Sequence, residues 1–146
     1  MNTIYLSRKK VVQLKQELKR YEASLKEQKD ELNQRGGLTG SWHETASFSA
    51  TQAALEAKVN ELRSLLKEIY ILPEKTKSNK AVLGSYIRLI NNESGELKYR
   101  LVHPIEADPE SDLLSIESPL GKLVINKKVG DKIELNGKKM EIVTIN

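Results

Sequence analysis

The stretch whose reading decides the fold is Val11-Val-Gln-Leu14-Lys-Gln-Glu-Leu18-Lys-Arg-Tyr21-Glu-Ala-Ser-Leu25. Its apolar residues alternate between spacings of three and four, and the series runs on through Gln28 to Leu32. That is the a/d seam of a coiled coil on one long helix. A second seam follows at Phe48, Gln52, Leu55, Val59, Leu62, Leu66 and Ile69, again at spacings of four and three. Paired in antiparallel order, from Val11 with Ile69 to Leu32 with Phe48, the residue numbers of every facing pair total 80. A constant sum is what a chain folded back on itself requires. It places the reversal at Gly40, within Arg35-Gly-Gly-Leu-Thr-Gly-Ser41, whose three glycines suit a tight turn. One layer sets Gln28 against Gln52, a polar pair of the kind that sets register at some cost in stability. A helix from about Ser7 to about Gly36 would be on the order of 45 Å long, so the hairpin reads as a probe with its tip far from its base.

After Ile71 the helical period ends. Leu72 to Lys80, LPEKTKSNK, reads as a linker. Short alternating runs follow: Ser85 to Ile90, a turn at Asn91-Asn-Glu-Ser-Gly-Glu96, and Leu97 to Val102, which together predict an antiparallel hairpin. An acidic loop from Glu106 to Asp112 leads into Leu113-Leu-Ser-Ile-Glu117. Ser118-Pro119 can cap and open a short helix, because proline at the first helical position gives up no needed hydrogen bond. Lys132 to Leu135 and Met140 to Ile145 flank Asn136-Gly137, a strong local hairpin signal. The fold class is therefore α+β: a coiled-coil hairpin over 1–72 with its tip near 33–47, a linker over 73–80, and a small antiparallel β domain with one short helix over 81–146.

Composition narrows the function classes. The chain has 146 residues, 38% apolar and 30% charged, with a net charge of +4, a soluble globular composition with room for a modest core. The mild basic balance favours an acidic partner surface. Lysines and arginines form no long run, and the aromatics are few and scattered, so neither a nucleic-acid stripe nor a base-stacking platform is present in the sequence. Nucleic acid is expected as an indirect partner only. The absence of cysteine excludes disulfides, thiolate catalysis and zinc ribbons, and fits a reducing compartment. With no apolar run of signal-peptide or membrane-span length, the expectation is a cytoplasmic protein with no membrane partner. Because one chain satisfies both seams, it is expected to be a monomer.

The tip stretch, Gly40-Ser-Trp-His-Glu-Thr-Ala-Ser-Phe48, carries the only Trp, one of two His and a single carboxylate. Ser41 and Glu44 form Ser-Xaa-Xaa-Glu, a capping box in which each side chain takes the other residue's backbone N–H. That accounts for both residues without chemistry. Trp42, a large ring at a probe tip, suits packing against a partner or against the hairpin end. His43 is a candidate base but a poor magnesium ligand.

A long hairpin followed by a small sheet domain resembles the Gre family of bacterial transcription elongation factors, across nearly the whole chain. The most specific part is Ser118-Pro-Leu-Gly-Lys-Leu-Val-Ile-Asn-Lys-Lys-Val-Gly-Asp131, similar without a gap to the family's Ser-Pro-Leu-Gly-Arg-Ala-Leu-Leu-Gly-Lys-Lys-Val-Gly-Asp. Leu6 to Glu17 is similar to the family's Lys/Leu-rich opening. The resemblance implies a C-terminal domain similar to FK506-binding proteins that docks at the rim of RNA polymerase through Glu117, Ser118, Pro119 and the adjoining Leu120, while the hairpin enters the secondary channel. It also implies an accessory factor that acts through the polymerase active site rather than an enzyme in its own right. Transcript cleavage in this family uses a magnesium ion shared with the polymerase, with no cofactor bound stably to the factor.

The family's tip pattern is Gly-Asp-Leu-Xaa-Glu-Asn-Ala-Glu-Tyr. Here Gly40, Glu44 and Ala46 match and Phe48 stands for Tyr, but Ser41 replaces Asp, Thr45 replaces Asn and Ser47 replaces Glu. Magnesium is a hard ion best held by carboxylates, and a neutral hydroxyl is a poor substitute. The expectation is a secondary-channel regulator with weak or absent cleavage, Glu44 being the one catalytic and metal-facing candidate left. The alternatives are an active cleavage factor that relies on Glu44, a coiled-coil adaptor, and a peptidyl-prolyl isomerase. The last is disfavoured because residues 73–146 offer only Tyr86 and Tyr99 to line a pocket.

Overall fold

The structure is a computed structural model that describes residues 3–34, 42–93 and 95–146, with side chains at all of these except 42–47. The chain forms two compact units: Lys9–Ile69, and Met1–Arg8 together with Tyr70–Asn146.

The first unit is helical. Helix α1 spans Arg8–Gln34 and α2 spans Trp42–Lys67. Every predicted seam position, from Val11 to Leu32 and from Phe48 to Ile69, is buried or half-buried. Val11, Leu14, Val59 and Leu62 are the most enclosed, and in the antiparallel scheme they fall in the four layers from the base to the middle of the hairpin. Two ion pairs link the helices, Glu22 with Arg63 at 2.8 Å and Lys29 with Glu56 at 3.8 Å. The two pairs share one residue-number sum, the signature of antiparallel helices. These pairs are half-exposed, so they set register more than stability. The polar layer departs from a simple glutamine pair. Gln52 Nε2 donates to Glu56 Oε1 at 3.4 Å, while Gln28 Oε1 is buried with no hydrogen-bond partner among the described residues. The expected reversal at Gly40 lies outside the described residues.

The second unit contains a two-stranded sheet, β1 (Ile4–Leu6) with β2 (Ile69–Ile71). Ile69, read from its spacing as the last seam residue, is half-buried but extended: α2 ends at Lys67 and the chain passes through a bend at Glu68 into β2. Residues 1–8, placed with the hairpin in the sequence-based division, group here with the sheet. The cause is local. Leu6 is fully buried, its carbonyl accepts the Leu72 N–H at 2.8 Å, and the Tyr5 and Tyr70 rings lie 5.7 Å apart.

The main sheet has the order β5-β4-β3-β7-β6, with β3 Tyr86–Asn91, β4 Gly95–Val102, β5 Leu113–Ser115, β6 Lys132–Leu135 and β7 Lys138–Ile145. The β3–β4 hairpin pairs Tyr86 with Arg100 through Asn91 with Gly95. At the β6–β7 turn Asn136 and Gly137 both take positive φ, 53° and 80°, the I′ geometry whose twist suits a two-residue hairpin. One pairing departs from the antiparallel expectation: β5 runs parallel to β4. A parallel neighbour needs a crossover, and here it is made by residues 103–112, which fold into single 3-10 turns at Pro104–Glu106 and Pro109–Ser111. Helix α3 (Pro119–Val124) contributes Val124 to a core with Ile87, Leu89, Leu101, Met140 and Ile142.

Candidate functional site

Each residue of Ser118-Pro-Leu-Gly121 has a local reason to be there. Ser118 is the N-cap of α3, in extended conformation (φ −66°, ψ 158°). Its hydroxyl accepts the Gly121 N–H at 3.0 Å and donates to the Ser115 carbonyl at 2.7 Å. Pro119 opens the helix, where its missing N–H costs nothing. Gly121 is required by space: a Cβ there would sit 2.0 Å from the Ser115 carbonyl oxygen. Upstream, the Ser115 hydroxyl accepts the Glu117 N–H at 3.1 Å. The result is a rigid β5–α3 corner from which Glu117 and Pro119 point into solvent, whereas Leu120 is half-buried against the core. Of the four residues expected to contact a partner, two present themselves. Ser118 holds the corner with both functions of its hydroxyl engaged, and Leu120 supports it from beneath.

The tip residues fare differently. The backbone of Trp42, His43 and Glu44 forms the first turn of α2, but their side chains, and Ser41 altogether, lie outside the described residues. The capping box and the metal-facing role of Glu44 therefore have no geometry to report.

Sequence reasoning missed a third feature. Glu106, in the first 3-10 turn, is buried, and its carboxylate accepts both the backbone N–H of Ser7 (3.0 Å) and the Ser7 hydroxyl. Ser7 immediately precedes α1, whose first three residues, Arg8, Lys9 and Lys10, are all basic. The carboxylate thus satisfies both donors of Ser7, near the end of the N-terminal segment that groups with the sheet. The partners are separated by 99 residues, and no local pattern announces them. The only signal in the sequence is a charged residue between Ile105 and Ala107.

The two candidate pocket aromatics do not converge. Tyr86 is opposite Arg100 and Tyr99 opposite Ile87, on successive β3 positions and so on opposite faces of the sheet. Tyr86 is exposed beneath the Arg100 guanidinium, 4.9 Å from its ring centroid, while Tyr99 packs against the core. Among the described residues no group of three or more His, Asp or Glu could hold a metal ion, and no helix is long and apolar enough to cross a membrane.

A two-helix unit with matched seams and a sheet unit bearing a Ser-Pro-Leu-Gly corner define the class to which known proteins can be compared. The family profile described as "Transcription elongation factor, GreA/GreB, C-term" matches residues 75–146. Transcription elongation factor GreA of Chlorobaculum parvum is 31% identical over 145 residues, covering 95% of this chain and 91% of the relative. GreA of Thermodesulfovibrio yellowstonii is 35% identical over 101 residues, a match spanning 66% of this chain and 64% of the relative's length. The crystal structure of GreA factor homolog 1 of Thermus thermophilus aligns over 99% of both chains at 25% identity, with a TM-score of 0.47. The chain belongs to the GreA/GreB family of transcription elongation factors.

Proposed function

We propose that this factor binds RNA polymerase, with its sheet unit at the rim and its hairpin in the secondary channel, and that it modulates elongation with little or no stimulation of transcript cleavage. The observation that carries the second half is Ser41, which stands where the family pattern has an acidic residue. The tip stretch from Ser41 to Glu44 offers one carboxylate, whereas magnesium takes six ligands, mostly carboxylate, phosphate or water oxygens. This donor set does not fit a magnesium site, and a neutral serine hydroxyl adds no charge to it. Glu44 contributes to catalysis only if the polymerase supplies the remaining ligands. In the sheet unit, the exposed Glu117 and Pro119 on the hydrogen-bonded α3 corner support docking at the rim, with Ser118 as the positioning residue.

The test is a backtracked elongation complex with magnesium, in which transcript length and factor binding are followed separately. Binding without 3′ shortening is the expected result. Efficient shortening would favour the active-factor reading that relies on Glu44, and absence of binding would remove the polymerase from the account. Ser41→Asp is expected to gain cleavage while keeping the cap, since Asp and Ser cap helices about equally well.

A further inference from the structure

Residues distant in sequence bring lysines together on one rim of the sheet unit. Lys80 and Lys128 are Cα partners in an isolated antiparallel bridge. It is held by hydrogen bonds from Ala81 N–H to the Lys127 carbonyl and from Asn126 N–H to the Ala81 carbonyl, both 2.7 Å. Residues paired directly in this way project to the same side, with Cβ atoms about 5 Å apart. Lys77 lies three residues before Lys80, and Lys127 adjoins Lys128; all four are exposed. None has an ion-pair partner among the described residues. The carboxylate that follows, Asp131, is occupied by the Lys128 backbone N–H at 2.8 Å. Like charges directly opposite one another destabilise a strand pair, and no ion pair within the described fold offsets this one.

We propose that this rim binds the phosphate backbone of duplex nucleic acid without reading its bases. An acidic protein surface is the poorer fit. Protein interfaces deplete lysine and centre on aromatic or apolar anchors, whereas residues 73–82 and 125–132 contain no aromatic and the exposed apolar side chain beside the pair is Val129. With no aromatic there is no platform for stacked single-stranded bases. With no arginine in these segments there is no bidentate fork for a guanine edge. Lysine alone, as a mobile point charge, suits phosphates. The proposal does not depend on polymerase binding, because the rim is complete in the free chain.

The measurement is fluorescence anisotropy of a labelled mixed-sequence duplex of about 20 base pairs titrated with the full-length protein, without polymerase, over a salt series. If the paired Lys80 and Lys128 neutralise two phosphates, the log–log salt slope is about −1.8, which is roughly 10-fold weaker binding at 200 mM than at 50 mM salt. Lys80→Glu should weaken binding about 10-fold and reduce the slope by about one, while the Tm stays the same or rises, because Glu opposite Lys128 replaces a repulsive pair with an attractive one. Loss of binding with an undiminished Tm cannot come from misfolding. Lys19→Glu, on the exposed face of α1 and equal in net charge change, should leave the affinity within twofold. Three results would overturn the proposal: equal weakening by Lys19→Glu, a wild-type slope shallower than −1, or poly-glutamate binding as tightly as the duplex.

Discussion

Gly121 occupies a position that no other residue can take without moving the backbone. A β-carbon there would approach the Ser115 carbonyl oxygen to 2.0 Å, and that oxygen is main chain, which cannot swing away like the end of a flexible side chain. Gly121→Ala should therefore cost about 3 kcal/mol, the upper part of the overpacking range, and lower the Tm by about 6–12 °C, read by thermal melting. Ser118→Ala removes one cap and one donor and should cost about 1 kcal/mol, while Ser118→Thr keeps both the acceptor and the donor and should recover most of that in the same melt. If Ser118→Ala and wild type melt together, the cap has no energetic role. This corner was legible in the sequence because cap chemistry acts within four residues. Glu106 was not, because its partner Ser7 is 99 residues away and burial of a carboxylate is decided by tertiary structure.

Among the elements, the hairpin is the most legible, since a repeat of threes and fours sustained through two helices averages over local noise and its two halves check each other through the constant sum. Where it errs, at Ile69, spacing alone cannot separate the last turn of a helix from a three-residue strand that begins where the helix stops. The parallel placement of β5 was equally hidden, because a short alternating run carries no sign of its neighbour's direction. The seam also yields a prediction. Gln28 Oε1 is buried without a partner among the described residues, while Gln52 turns to Glu56. An unsatisfied buried acceptor costs about 1–3 kcal/mol, so Gln28→Leu should stabilise the chain by about 1 kcal/mol or more in urea unfolding. A lower midpoint for the variant would mean that the glutamine is satisfied after all.

At the scale of the whole molecule, the sheet unit is discontinuous in sequence: it includes residues 1–8 as well as Tyr70–Asn146. A cut in the 73–80 linker, which the sequence offers as the natural boundary, would leave Glu106 buried without the two Ser7 donors and would remove fully buried Leu6. Loss of Leu6 forfeits about 2 kcal/mol, and stripping a buried carboxylate of its donors adds about 1–3 kcal/mol. Against a total stability of about 5–15 kcal/mol, a fragment of residues 73–146 should unfold at a clearly lower urea concentration than a chain in which residues 1–8 are joined through a short Gly/Ser linker to residues 69–146. Ser7→Ala in the joined version should bring back part of the deficit, which separates the Glu106 contribution from that of Leu6. Equal midpoints for fragment and joined chain would show that the N-terminal segment adds nothing to the sheet unit, and the boundary read from the sequence would then stand as the energetic one.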